Sequence, residues 1–215
     1  MINPALEAER SVISPTTVET YEIRKYPSEW IIPWQSIRRY EEPSADTPSP
    51  LEYAFYLLGD LAGKTVVDLG CNEGLNSVIL GLLGAKVMSL DGSDANLTMT
   101  EDRARVNGVE RNLTLRQMRG ARIPLDDGQA DRVLCTSSLI DFDCLDLARQ
   151  IRRVLKPGGA AAFVQPFRRL TWFSKQALTL RIIDGISRAV GRPGRRRRFA
   201  LRFRSLLVWE AQKER

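Results

Sequence analysis

Between residues 66 and 75 an apolar run, Val66-Val67, ends at an acid, Asp68. It passes through Leu69-Gly70-Cys71-Asn72-Glu73-Gly74 before an amphipathic pattern opens at Leu75. A strand that runs through a glycine turn straight into a helix is the outline of a nucleotide-binding βα unit. Glycine tolerates φ > 0 and carries no Cβ, so the backbone can approach a ligand closely. The N–H groups at the start of the helix then face that ligand. Spacing narrows the choice. A dinucleotide turn needs G-x-G-x-x-G, and counted from Gly70 its second and third glycines fall on Asn72 and Leu75. A Walker-type G-x-x-x-x-G-K-[ST] loop is absent as well.

A second signal lies one βα unit further on. Lys86-Val87-Met88-Ser89-Leu90 reads as a short buried strand ending at Asp91-Gly92. Asp91 stands 21 positions after Gly70, close to the offset of roughly 20 residues at which such units place a ribose-binding acid. A carboxylate can accept hydrogen bonds from both ribose hydroxyls. The plainer alternative is an acid capping the next helix, but Ser93 is available for that cap.

Strands and helices alternate through the middle of the chain. Strands are predicted at 65–69, 86–90, 112–117, 131–136 and 160–164. Helices are predicted at 75–83, 94–107 and 143–155, and a further one runs from the Ser49-Pro50 cap through Leu61. Near-continuous apolar strands in a βαβα order imply an α/β fold, a parallel sheet covered on both faces. Asp68 to Gly74, Asp91 and residues 136–141 then share the carboxyl edge of the sheet, where such folds bind ligands. The first 48 residues are aromatic-spotted and broken by prolines, so any helix there is short, one candidate starting at Thr16. After Pro166 a helix is predicted over roughly 173–190. A C-terminal strand follows at 205–211, paired with 199–203.

Asp68-x-Gly70-x-Asn72-x-Gly74 resembles motif I of class I S-adenosylmethionine-dependent methyltransferases, an acid followed by G-x-G-x-G, with Asn at the middle glycine. Further on, Ile123-Pro124-Leu125, Asp131-Arg132-Val133 and Arg152-Arg153-Val154-Leu155-Lys156-Pro157-Gly158-Gly159 follow the order seen in the small-molecule methyltransferases. In the last of these, the basic final turn suits the negative end of a helix dipole, Pro157 stops the helix and the glycines reverse the chain. The resemblance spans roughly residues 64 to 166. It implies a doubly wound, Rossmann-like, mostly parallel seven-stranded sheet with helices on both faces and the last strand antiparallel. It also implies S-adenosyl-L-methionine as cofactor.

By the same resemblance, Gly70, Cys71, Asn72 and Gly74 would hold the methionine moiety. Asp68 would organise the turn and reach the amino end, directly or through water. Asp91 and Gly92 would serve the ribose, and Ser137 and Ser138 would border the methionine part. Cys71 reads as small filler rather than a nucleophile. Two departures stand out. Where the family usually has an Asp for the adenine amino group, this chain has Arg119, followed by Gly120-Ala121. An Arg has no acceptor. Either backbone at Arg119, Gly120 and Ala121 recognises adenine, or the alignment slips there, or the cofactor binds weakly. Where the family often carries His, this chain has Asp141, and it contains no histidine at all. Asp141 is then the first candidate for a general base, beside its plainer reading as a helix N-terminal acid.

At 215 residues the chain suits one domain. It divides into an aromatic N-terminal lid or strap (1–48), a cofactor-binding core (49–166) and a basic helix with C-terminal strands (167–215). Three cysteines make neither a metal spacing nor a paired framework, and no metal is expected. No apolar run is long enough to span a bilayer and no signal peptide is evident, so a cytoplasmic protein is expected. Charge is unevenly spread. Residues 168–204 hold twelve basic residues against Asp184, so they contribute +11 to a net +6 and leave −5 on the rest. That segment is solvated surface, or an amphipathic helix resting on anionic lipid through 167–204, or an RNA-facing patch. The leading function is methyl transfer to a small or lipid-like acceptor. The alternatives are an RNA methyltransferase and a non-catalytic S-adenosylmethionine-binding protein.

Overall fold

The computed structural model describes residues 30–136, 144–167, 185, 187–200 and 205–214. Seven strands form one sheet: β1 (Thr65–Leu69), β2 (Lys86–Asp91), β3 (Leu113–Gln117), β4 (Ala130–Cys135), β5 (Leu155–Phe167), β6 (Arg192–Ala200) and β7 (Ser205–Gln212). Their order is β3-β2-β1-β4-β5-β7-β6. β7 runs antiparallel to both of its neighbours, β5 and β6, while β1 to β5 pair in parallel. The doubly wound reading is therefore correct.

Alternation along the strands explains the two layers. Val66, Leu134 and Ala162 pack on one face and Val67, Val133 and Ala161 on the other, because successive strand residues point to opposite sides. The first face is covered by α1 (Trp34–Glu41), α2 (Pro50–Leu58), α3 (Leu75–Leu82) and α4 (Asp94–Val106). The second is covered by α5 (Cys144–Val154), with Val190 beside it. Tyr40 and Phe55 pack their rings 4.9 Å apart, which ties α1 to α2.

Several boundaries differ from expectation. Ser49 does cap α2, accepting from Glu52 N at 3.3 Å, but the helix stops at Leu58 rather than Leu61, because Gly59 turns the chain out at φ 70. Lys156-Pro157-Gly158-Gly159 is not a free turn. β5 starts at Leu155 and absorbs these residues as an irregularity between Ala130↔Leu155 and Arg132↔Ala160. β6 occupies 192–200 and so begins earlier than expected; Phe199 and Ala200 pair with β7 as expected, 201–203 lie outside the described residues, and the run Arg195–Arg198 lies in the edge strand. Charged residues on an edge discourage pairing with another sheet. The helix expected from Thr16 lies outside the described residues, as does most of that expected over 173–190.

Candidate active site

The chain steps outward from β1 through β2 to β3 and then returns to β4, so the strand order reverses between β1 and β4. Ligands of doubly wound sheets lie outside the carboxyl ends at such a switch point. The Gly70–Gly74 turn leaves β1 there, and Asp91 closes β2 beside it. Asn76, in the first turn of α3, donates from Nδ2 to Thr136 Oγ1 at 2.9 Å and ties the turn to the end of β4.

The turn is held from two sides. Gly70 N and Cys71 N both donate to Leu90 O, at 2.8 and 2.9 Å. Asn72 N donates to Asp91 Oδ2 at 2.9 Å, and Asn72 Nδ2 donates to Gly70 O at 3.0 Å. Asn72 has φ 51, the left-handed region that Asn enters more readily than other non-glycine residues. Asn therefore replaces the middle glycine without changing the path of the turn. Gly74 has no such substitute. Its φ is 79, and an added Cβ would stand 2.7 Å from Thr100 Cα.

The other side of the turn is α4. Asn96, Thr100, Arg103 and Asn107 fall at i, i+4, i+7 and i+11, on one face of that helix and its cap. Asn96 Nδ2 donates to Asp91 Oδ1 at 3.0 Å. The Thr100 hydroxyl lies 3.1 Å from Asn72 O and 2.9 Å from Asn96 O. Arg103, 7% exposed, reaches Glu73 Oε2 at 3.6 Å and covers the Trp30 ring at 5.1 Å. Asn107 donates to Trp30 O at 2.8 Å and accepts from Ile32 N at 2.9 Å. The four residues thus grip the glycine turn at one end and residues 30–32 at the other. Sequence reasoning missed them, because apolar periodicity assigns a polar face to solvent. The repeat of polar residues at helical spacing was the available signal.

Asp68 is fully buried on the α3 side of β1. Its Oδ2 accepts from Ser77 Oγ at 2.7 Å, and Ser89 Oγ donates to Ser77 Oγ at 2.8 Å. Its Oδ1 has no hydrogen-bond partner among the described residues. Burial pushes the carboxyl up to about 6; the bond from Ser77 pulls it down, and the charge of Asp91 adds to the rise. Asp91, 8% exposed, is far better supplied. It accepts from Asn72 N, Ser93 N and Asn96 Nδ2, which uses three of a carboxylate's roughly four acceptor positions. Burial pushes the Cys71 thiol up to about 12, against the bond from Thr100. It is packing, not a nucleophile.

Of the other residues singled out by sequence, Gly92 directly follows Asp91, and Arg119, Gly120 and Ala121 directly follow Met118, which bonds to Asp91. Met118 N donates to Asp91 O at 2.8 Å, and Gln117 Nε2 to Gly92 O at 3.3 Å. An added Cβ at Gly92 would face Met118 O at 3.5 Å. Arg119 itself is exposed. Ser137, Ser138 and Asp141 lie outside the described residues. The described arrangement is a glycine cradle at a helix start, backed by two carboxylates. It suits a ligand that presents a cation and hydroxyls to the edge of the sheet.

Residues 67–163 match the sequence model of a methyltransferase domain family. The chain is 36% identical over 107 residues to a ribosomal protein L11 methyltransferase of Aliivibrio salmonicida, covering 48% of this chain and 34% of that protein. It is 36% identical over 103 residues to a ubiquinone biosynthesis O-methyltransferase of Marinobacter nauticus, covering 46% and 42%. The chain thus spans less than half the length of either relative. Among solved structures it resembles a geranyl diphosphate methyltransferase in complex with SAM (TM-score 0.63, 18% identity, 83% of this chain and 90% of that one). It also resembles the [4+2]-cyclase SpnF (TM-score 0.68, 15% identity, 88% and 86%). At these identities the structures share the fold.

Proposed function

We propose that this chain, residues 67–163 of which match a methyltransferase domain family, is a class I S-adenosylmethionine-dependent methyltransferase that transfers a methyl group from S-adenosylmethionine to a small or lipid-like acceptor. The single observation behind this reading is the Gly70–Gly74 turn at the β1–β4 switch point, backed by a buried Asp68 with an unpartnered oxygen. The residues fit the cofactor. A sulfonium and an ammonium need negative charge nearby, which Asp68 and Asp91 supply. A ribose needs an acceptor, and Asp91 has about one lone-pair position left. When bound, the cofactor supplies a methyl group already activated on sulfur. The protein then needs mainly to hold donor and acceptor in line.

In this reading the backbone at 70–74 holds the methionine part and Asp91 with Gly92 the ribose. Asp68 sets the turn and faces the amino end. Backbone at 119–121 borders the adenine, since Arg119 offers no acceptor. Ser137 and Ser138 would border the methionine part, and Asp141 remains the proposed base. The likeness to a ubiquinone O-methyltransferase and to a geranyl diphosphate methyltransferase supports a small or lipid-like acceptor. No helix among the described residues is long and apolar enough to cross a membrane. Contact of 167–204 with anionic lipid, or with RNA, belongs to the proposal as its partner question.

A second reading has one observation in its favour. The cyclase likeness means that this fold also carries a reaction other than methyl transfer, so S-adenosylmethionine binding without transfer is the alternative. Calorimetric titration with S-adenosylhomocysteine, beside Asp91→Ala, tests the site. Micromolar binding that Asp91→Ala weakens by at least about tenfold supports it, a loss of about 1.4 kcal/mol. No binding at millimolar concentration sinks it. Transfer of a labelled methyl group to a quinol or isoprenoid acceptor then decides between the two readings.

A further inference from the structure

Among the described residues, the two faces of the sheet are covered unequally. Four helices cover one face. On the other, no helix among the described residues lies between α5 and the edge strand β3. The crossover 118–129 runs there instead, and a cavity of about 1020 Å³ opens between it and α5. Five arginines line it: Arg116, Arg119, Arg122, Arg149 and Arg153. Among the described residues two acids, Asp126 and Asp146, oppose them on its walls, so these lining residues carry a formal +3. The chain outside 168–204 carries −5. A positive groove on a negative body calls for an explanation.

Three of these arginines are engaged. Arg153 bonds Ile123 O at 2.8 Å, Leu125 O at 2.7 Å and Asp127 at 2.9 Å, so it is a strut that fixes the crossover. Arg116 bonds Pro124 O at 3.0 Å, and Arg149 pairs with Asp146. Arg119 and Arg122 differ. They face each other as an antiparallel bridge around Gly120, which has φ 59. Directly opposed residues put their side chains on the same side, with Cβ atoms about 5 Å apart, and like charges in that relation are destabilising. Neither has an ion-pair partner among the described residues.

The geometry points to an anion site at Arg119 and Arg122 that takes a phosphate- or diphosphate-bearing small molecule. Two adjacent guanidinium forks match phosphate oxygens bidentately, and a concave wall of net positive charge raises the local concentration of anions around them. The apolar residues of the groove are aliphatic: Ala121, Ile123, Pro124 and Leu125. Among the described residues no aromatic side chain lines it, so they offer a nucleic-acid strand no stacking platform. An aliphatic body with a phosphate head suits both parts. The inference is independent of methyl transfer. It gives Arg119 a role that the cofactor site does not.

The test is titration of the full chain with pyrophosphate and with inorganic phosphate at low salt. Wild type binds pyrophosphate saturably, and Arg119→Gln/Arg122→Gln weakens it at least about tenfold, since charge-assisted bonds are lost. Arg111→Gln, an exposed charge outside the groove, leaves binding unchanged. Thermal melting confirms that the double variant folds. If it does not, each single variant should weaken binding about threefold or more. Binding by the folded variants equal to wild type overturns the site, placing the anion elsewhere, such as the arginine run at 195–198. Failure of wild type to bind pyrophosphate, with or without uptake of a short RNA, overturns it too.

Discussion

The two edges of the sheet each hold an acid, part-buried at the amino edge and fully buried at the carboxyl edge, and they treat it in opposite ways. At the amino edge, Asp131 is the second residue of β4. It accepts from Lys156 Nζ at 2.8 Å and Thr65 N at 2.9 Å. Burial alone would raise its carboxyl, but these bonds and the charges of Lys156 and Lys64 hold it below its usual range. At the carboxyl edge, Asp68 stands one residue before the end of β1, with one oxygen unpartnered among the described residues and its carboxyl pushed up to about 6. The amino edge is a closed set of partners, built for stability. The carboxyl edge keeps an uncompensated carboxylate and a left-handed Asn, costs that persist where a ligand is to be met.

The largest expected effect breaks the carboxyl edge outright. Gly74→Val puts a β-branched side chain at φ 79 and drives its Cβ to within 2.7 Å of Thr100 Cα. We expect a loss of about 3 kcal/mol or more of stability, and no S-adenosylhomocysteine binding by whatever still folds. Retained binding with an unchanged melting temperature would show that the turn is not built as described.

The two acids next predict opposite pH dependence. Asp68 has a folded value near 6 against an ordinary 3.8. Between those values the unfolded chain ionises first, so this group makes stability fall as pH rises from about 4 to 6. At neutral pH its ionisation costs on the order of 2–3 kcal/mol. Asp68→Asn removes that slope, and it melts no lower than wild type at pH 7. A cationic cofactor favours the ionised form, so affinity for S-adenosylmethionine rises through pH 6 in wild type and stays flat in the variant. Asp131 has the other sign: its contribution is full above its unfolded value and is lost as pH falls through the depressed folded one. Lys156 is 44% exposed, so Asp131→Asn costs only about 1 kcal/mol. It leaves cofactor affinity as it was. A pH-stability profile of the three proteins separates these slopes, and equal slopes in all three would remove the contrast.

What the sequence made legible divides along the same line. β1, the glycine turn and Asp91 could be read because apolar runs of strand length end in glycines and acids at nucleotide-binding spacing. The count of seven strands and the antiparallel last strand followed from the family resemblance; their order came with the structure. The partners of the turn could not be read. Asn96, Thr100 and Arg103 look like the solvent face of α4, and only the fold reveals that this face grips Asn72, Glu73 and Asp91. Nor could the sequence tell that the Arg195–Arg198 run belongs to an edge strand, because charge density hides strand alternation. Arg119 was visible as a misfit in the adenine position, but its bridge to Arg122 needed the turn at Gly120.

The smallest expected effect tests the hidden partner. Arg103 is buried, and its Nε has no partner in the described structure. Burial lowers its pKa, and Glu73 acts against that. Arg103→Met keeps most of the aliphatic packing under Trp30 and removes the charge, so stability changes little. Glu73 is 65% exposed, which holds the lost pairing to roughly 0.5 kcal/mol. If α4 positions the turn through this pair, the loss appears as about a two- to threefold weaker affinity for S-adenosylhomocysteine. Glu73→Gln should cost the same, and the double variant no more than either alone, since both remove one interaction. Additive losses would mean that Arg103 only packs beneath Trp30, leaving Thr100 and Asn96 as the contacts through which α4 holds the carboxyl edge.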